Sequence, residues 1–240
     1  MNRPTIILVD PQMGENIGAA ARAMLNFGLS DLRIVRPRDG WPNERADAMS
    51  AGALNAMPPA QVFDTLDAAL ADCHFALATT ARPRDMVKPV FTPQAAAAEI
   101  HKRETAQSCT AFIFGAERSG LTNDDVALAH GIITIPVNPD FSSLNLGQAV
   151  LLVAYEWFQL QDSTPDRFYP DSVGVPASHD KLMELFMRLE GELEQGRFFR
   201  DDGHKPVMIR NLRNLLTRAD MTDQEVRTFH GIITALINKE

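Results

Sequence analysis

The chain has 240 residues, of which 45% are hydrophobic and 22% charged, a make-up typical of folded proteins and too apolar for a disordered one. Lysine plus arginine number 23 against 31 aspartates plus glutamates, a net charge of -8. That balance excludes a surface that embraces a polyanion everywhere, so any nucleic acid must be held by a local basic patch.

In chain order, an apolar run at 5–9 predicts a first strand, and the Met1-Asn2-Arg3-Pro4 stretch before it lacks a secretory cleavage pattern. A helix is predicted at 18–26, a strand at 32–35, a helix at 46–51, a strand at 62–63 and a helix at 66–71. Strands at 75–79, 111–114 and 132–136 follow, separated by helices at 93–103 and 124–129. Thr122-Asn123-Asp124-Asp125 puts cap-forming side chains at the start of the last of these helices. Short, nearly all-apolar strands alternating with helical patterns predict a parallel α/β sheet covered on both faces. Residues 145–161 read as a longer helix, with Leu146, Ala149, Val150, Val153, Ala154 and Trp157 at helical spacing.

A polar connector punctuated by Pro165, Pro170 and Pro176 then breaks the pattern. Beyond it lie three predicted helices, at 179–195, 207–218 and 223–239, and no strand. The expected organisation is an α/β body at 1–161, a linker at 162–177 and a helical domain at 178–240. No run approaches the roughly 20 apolar residues that span a bilayer. Cys73 and Cys109 give neither a disulfide framework nor a metal spacing and are expected to behave as small hydrophobes in a reduced, soluble, cytoplasmic protein. His74, His101, His130, His179 and His230 are scattered without ligand spacing, and the methionines read as core filler.

Three segments carry residue types suited to chemistry. Gly14-Glu15-Asn16-Ile17-Gly18-Ala19-Ala20-Ala21-Arg22 follows the first strand. A glycine-flanked turn that opens a helix can cradle a phosphate, although this one is neither a Walker loop nor a dinucleotide fingerprint. The alternative is a tightly packed strand–helix turn. Phe114-Gly115-Ala116-Glu117-Arg118-Ser119-Gly120-Leu121 leaves the carboxyl end of a strand, where open α/β sheets bind ligands; a solvated Glu-Arg pair is the plainer reading. Ile135-Pro136 leads through a proline-stiffened bend to Ser142-Ser143-Leu144-Asn145-Leu146, in which a serine could be simply a helix N-cap.

In this order the segments resemble the three motifs of the SpoU/TrmH (SPOUT) family of RNA ribose 2′-O-methyltransferases. The matching residues are Asn16-Ile17-Gly18 with Arg22, then Phe114-Gly115, Glu117 and Gly120-Leu121, then Ile135-Pro136 and Ser143-Leu144-Asn145-Leu146. The length, the helical tail and Thr79-Thr80-Ala81-Arg82 resemble more specifically a bacterial branch that modifies nucleotide 32 of the tRNA anticodon loop. The resemblance implies a trefoil-knotted α/β fold, S-adenosylmethionine as methyl donor, tRNA as substrate and a homodimer as the working unit. It implies that Thr79, Thr80, Ala81, Gly115, Ile135, Ser143, Leu144 and Asn145 hold the methyl donor. It further implies that Arg22, Asn16, Glu117 and Ser142 or Ser143 face the ribose and phosphate as catalytic residues. Because a guanidinium stays protonated, Arg22 is expected to act as a cation on the phosphate and the developing alkoxide.

The basic patch is expected within 196–218, where Arg197, Arg200, Lys205, Arg210, Arg213 and Arg218 outnumber Asp201 and Asp202, with His204 nearby. Phe198 and Phe199 could stack on unpaired bases or belong to the tail's core. Arg82, Arg84 and Lys88 form a second cluster, and solvated faces are the alternative for both. Gly147 and Gln148 are expected to permit close helix packing. Other functions left open are ribosomal RNA methylation, a non-catalytic RNA-binding module, and an ordinary nucleotide-binding α/β enzyme.

Overall fold

The structure, a computed structural model, describes residues 3–82, 86–103, 108–166, 174–199, 201 and 203–238. The chain divides into two compact units, 1–163 and 164–240. The first unit is built on β1 (Thr5–Val9), β2 (Leu32–Val35), β3 (Gln61–Phe63), β4 (Cys73–Thr79), β5 (Val90–Phe91), β6 (Cys109–Phe114) and β7 (Gly131–Ile133). All seven are parallel, in the order β3-β2-β1-β6-β4-β7-β5. The helices of this unit are α1 (Gly14–Asn26), α2 (Glu44–Ser50), α3 (Ala53–Ala56), α4 (Leu66–Ala69), α5 (Pro93–Arg103), α6 (Asn123–Ala127) and α7 (Leu146–Gln159).

The unbroken apolar runs are explained by burial on both sides. Ile6, Leu8, Phe112 and Phe114 point to one face and pack with Ile17, Met24, Ile100, Val150 and Trp157 of α1, α5 and α7. Ile7, Val9, Ala111 and Ile113 point to the other, against Leu66, Ala69 and Val126 of α4 and α6. Alternation with a period of two is therefore present but invisible in hydropathy, because both sets are apolar.

Beyond shifts of one or two residues at element ends, the structure differs from the sequence reading in four places. Helix α1 begins at Gly14 rather than 18, so Asn16 stands inside the helix. Strand β7 stops at Ile133 rather than 136; Thr134 N still donates to Phe91 O at 2.9 Å, but β5 ends there and Pro136 has no N–H to extend a ladder. Strand β5 and the single-turn α3 were not anticipated, being too short to show a period. Cys73 and Cys109 are not isolated small hydrophobes: they are register partners at the starts of β4 and β6, with their sulfurs 3.0 Å apart beside the buried Arg33.

The second unit contains α8 (His179–Gln195), α9 (Lys205–Arg218) and α10 (Asp223–Ile237), around Leu185, Phe186, Leu216, Met221, Val226 and Ile233. Thr222 and Glu225 close a reciprocal capping box on α10, and Ser178 caps α8. Among the described residues no helix is long and apolar enough to cross a membrane.

Candidate active site

Thr79, Phe114 and Ile133 lie level in the sheet, as register partners at the carboxyl ends of β4, β6 and β7. The loops leaving these ends wall a cleft of about 260 Å³. Such carboxyl-end crevices are where open α/β sheets take ligands.

Gly115 begins the second loop. A Cβ there would stand 2.2 Å from Leu121 N and 2.3 Å from the Gly120 carbonyl carbon, so a side chain would collide with the loop's own backbone. The turn closes with Gly120 N donating to Ala116 O at 2.8 Å, with Gly120 at a φ of 66°. This tight turn aims Glu117 back across the cleft mouth. Its Oε2 accepts from Gln12 N at 2.8 Å, and its Oε1 accepts from Met13 N at 3.3 Å and from Asn16 Nδ2 at 2.6 Å. The other end of the Asn16 amide accepts from Asn145 Nδ2 at 2.8 Å. Asn145 in turn caps α7, its Oδ1 accepting from Gly147 N at 2.8 Å and Gln148 N at 3.4 Å. One chain of hydrogen bonds thus joins the three motifs across sequence separations of 101 and 129 positions.

Several expectations change at this point. The N-cap of α7 is Asn145, completed by Gln148 in a capping box; Ser142 and Ser143 are exposed residues of the bend, free of that task. The glycines of the first motif do not open a phosphate cradle. A Cβ at Gly14 would meet Asn43 Oδ1 at 2.1 Å and one at Gly18 would meet Ala46 O at 2.2 Å, so both serve the close α1–α2 contact. The amides of Gln12 and Met13, where an anion would sit, are already taken by the Glu117 carboxylate. Asn16 and Glu117, expected to face the sugar, commit their polar atoms to one another, to backbone amides and to Asn145.

The cleft is lined by Thr79, Thr80, Ala81, Gly115, Ile135, Ser143 and Leu144, together with Glu117 and Ser142. Asn145 is not among the lining residues; it is exposed and lines an adjoining groove. The Thr79 hydroxyl is buried and has no hydrogen-bond partner among the described residues. Arg82, Arg118 and Ser119 also line the cleft, and both arginines are exposed; the position of Arg118 on the cleft wall escaped the sequence because a Glu-Arg dipeptide on a loop is ordinarily just solvated. Arg22 lies outside the cleft, exposed on α1 over an adjoining shallow groove formed with Ala19, Met49, Asn145, Gly147 and Gln148. Gly147 permits that approach of helices, since a Cβ on it would be 2.8 Å from the Ala19 Cβ. At the base of the first loop, Arg36 grips Asp10 with Nε and Nη2 at 2.8 and 2.9 Å. That fork raises the Arg36 pKa above its ordinary value.

Lys88 leaves the second basic cluster: its ammonium bonds the carbonyls of Ala127 and Ala129 at the end of α6. Arg84 lies outside the described residues. In the tail, Lys205 pairs with Glu194, and Arg213 forks onto Glu190 at 2.6 and 2.9 Å. Arg200 and Asp202 lie outside the described residues. Among the described residues Arg197, Arg210 and Arg218 make no ion pair. Phe198 is 45% exposed and packs edge-on against Phe199, outside the tail core.

Residues 3–155 match the SpoU rRNA Methylase family. The chain belongs to that family. It is 37% identical over 237 residues to tRNA (cytidine/uridine-2′-O-)-methyltransferase TrmJ of Sodalis glossinidius, covering 96% of this chain and 90% of the relative. The crystal structure of TrmJ from Z. mobilis superposes with a TM-score of 0.83 at 49% identity, covering 98% of this chain and 99% of that one. More distantly, the SpoU methyltransferase AviRb of Streptomyces viridochromogenes, solved with AdoMet, shares the fold at 18% identity and a TM-score of 0.53, over 67% of this chain and 58% of that one. The family match covers the α/β unit that holds the cleft, and the two TrmJ matches extend through the helical tail.

Proposed function

We propose that this chain methylates the ribose 2′-hydroxyl of cytidine or uridine in tRNA, at nucleotide 32 of the anticodon loop, using S-adenosylmethionine. The observation that carries this is the Glu117–Asn16–Asn145 hydrogen-bond chain, which gathers the three family motifs at one cleft mouth. Near-full-length likeness to TrmJ proteins, tail included, favours tRNA over ribosomal RNA. A cytoplasmic location follows from that substrate.

The cleft suits the donor. Its walls combine apolar Ala81, Ile135 and Leu144, fit to hold a purine ring, with a buried hydroxyl, Thr79 Oγ1, that no described residue pairs. When bound there, S-adenosylmethionine supplies an electrophilic methyl group. The protein's share of the reaction is alignment and charge, because methyl transfer to a hydroxyl is an in-line displacement. The hydrogen-bonded brace holds the loops at fixed separations. Glu117 already accepts from three donors, which suits a positioning residue better than a base. Ser142 and Ser143 offer hydroxyls at the rim. Arg82 and Arg118 present cations to RNA phosphates, and the guanidinium of Arg22 stabilises charge developing on the sugar oxygen.

Arg22 opens onto a groove beside the cleft, while Leu151, Leu152 and Tyr155 of α7 are exposed on the same unit. Both features support a homodimer as the working unit, and the trefoil knot of the family is part of the same reading. The test is nucleoside mass spectrometry of unmodified tRNA incubated with enzyme and S-adenosylmethionine. The expected product is 2′-O-methylcytidine or 2′-O-methyluridine at position 32, lost by 100-fold or more in Arg22→Ala and not restored by Arg22→Lys. Methylation confined to ribosomal RNA, or donor binding without transfer to any RNA, refutes the proposal.

A further inference from the structure

At the opposite ends of the same strands from the cleft, β4 and β6 begin with Cys73 and Cys109 as direct register partners. Neighbouring strands stand about 4.7–4.9 Å apart, within the roughly 4.4–6.8 Å between Cα atoms that a disulfide requires. The sulfurs are 3.0 Å apart, about 1 Å beyond the length of an S–S bond. Both residues are only partly buried, so a small oxidant reaches them in the folded protein. We infer that Cys73 and Cys109 are a redox pair that peroxide converts to a reversible cross-strand disulfide.

The surroundings favour a reactive thiolate over an inert pair of thiols. Arg33, buried on β2, sets Nη1 3.9 Å from Cys73 Sγ and Nη2 4.0 Å from Cys109 Sγ. The guanidinium is fixed there by Ala69 O at 2.7 Å, by both carboxylate oxygens of Asp72, and by Asp31 at 3.4 Å. Thr5 Oγ1 lies 3.7 Å from Cys109 Sγ, and the imidazole of His74 accepts the Cys109 amide at 3.2 Å. Either sulfur can donate in the S–H···S contact, which lets one thiol hold the other as a thiolate and lowers the Cys109 thiol while raising that of Cys73. One sulfur is thus the nucleophile and the other holds the proton.

The chemistry balances with hydrogen peroxide as oxidant. The Cys109 thiolate attacks one peroxide oxygen; an S–O bond forms, the O–O bond breaks and hydroxide departs. Cys73 then attacks the Cys109 sulfur; the S–S bond forms, the S–O bond breaks, and the leaving hydroxide takes the Cys73 proton as water. Counting the proton lost when Cys109 ionised, two thiols give up two electrons and peroxide becomes two waters. Asp72 joins the cysteines in a cluster of metal-ligand type, but its carboxylate is held by Arg33, whose charge opposes a divalent ion. The disulfide would tie positions 36 residues apart and enclose the Thr79–Arg82 wall of the cleft.

The full-length protein suits the test, because its two cysteines are these two. Equimolar peroxide at neutral pH should abolish both titratable thiols, lower the intact mass by two hydrogens and raise Tm by roughly 5–10 °C, all reversed by dithiothreitol. Cys73→Ser should instead halt at a sulfenic acid that dimedone captures, and Cys109→Ser should react more slowly. Thiols that survive equimolar peroxide, or bridges formed only between chains, would overturn the inference. So would one equivalent of zinc retained through dialysis, which would reassign the pair to metal binding.

Discussion

Asn16 shows why a residue type can be obligatory without touching a substrate. It must donate at one end, to Glu117, and accept at the other, from Asn145; of the residues of its size, only asparagine does both. Asn16→Ala removes the two hydrogen bonds of a buried side chain and leaves Glu117 and the exposed Asn145 each one partner short, a loss of about 1–3 kcal/mol. Asn16→Asp is expected to cost more, since it sets a second carboxylate against Glu117 with no proton to share. Acidification should then rescue the aspartate variant selectively, because one added proton restores the missing donor. Urea denaturation of both variants across the carboxylate range checks this. Parallel curves for the two would show that Asn16 is a packing residue and that the brace is incidental.

Helix α1 carries the corresponding lesson at the scale of an element. Its glycines look like a phosphate-binding loop in sequence, yet Gly18 faces the Ala46 carbonyl of α2 at a distance that admits no Cβ. Gly18→Ala should destabilise by about 1–3 kcal/mol despite its better helix propensity, because the obstacle is backbone and cannot rotate aside. Gly191→Ala in α8, with nothing within 4 Å of its added Cβ, should stabilise by about 0.5–1 kcal/mol. Denaturation midpoints that shift alike for both would remove the packing argument. The contrast also shows what sequence could carry. Continuous apolar runs revealed the five strands β1, β2, β4, β6 and β7, because burial on both faces produces them. The edge strands β3 and β5 each offer only an exposed to half-buried Val-Phe pair, read as a strand at 62–63 and passed over at 90–91. The third motif's residues were legible, but not that Asn145 rather than a serine caps α7, since Ser and Asn are near-equal N-caps and only backbone geometry chooses. The cleft-lining residues came from family likeness; the brace that gathers them joins positions too distant for any spacing rule.

For the whole molecule, the question is how a chain of net charge -8 holds a polyanion. A count of arginines and lysines in the tail overstates the available charge, because α8 contributes Glu190 and Glu194 to neutralise Arg213 and Lys205. Among the described residues of 196–218, the arginines without an ion pair are Arg197, Arg210 and Arg218, with exposed Phe198 beside the first of them for an unstacked base. Replacing these three arginines by glutamine should weaken tRNA binding and lower the slope of log affinity against log salt by about 0.7–0.9 for each phosphate contact removed. Arg213→Gln should leave that slope almost unchanged and instead reduce the tail's stability, since its guanidinium is already bound to Glu190. The two variants separate a nucleic-acid surface from a merely solvated one. Filter-binding titrations over a range of salt concentrations decide between them. If the triple variant keeps the wild-type slope, these three arginines do not grip the tRNA backbone, and cations elsewhere, Arg22, Arg82 and Arg118 around the cleft among them, carry the electrostatic attraction.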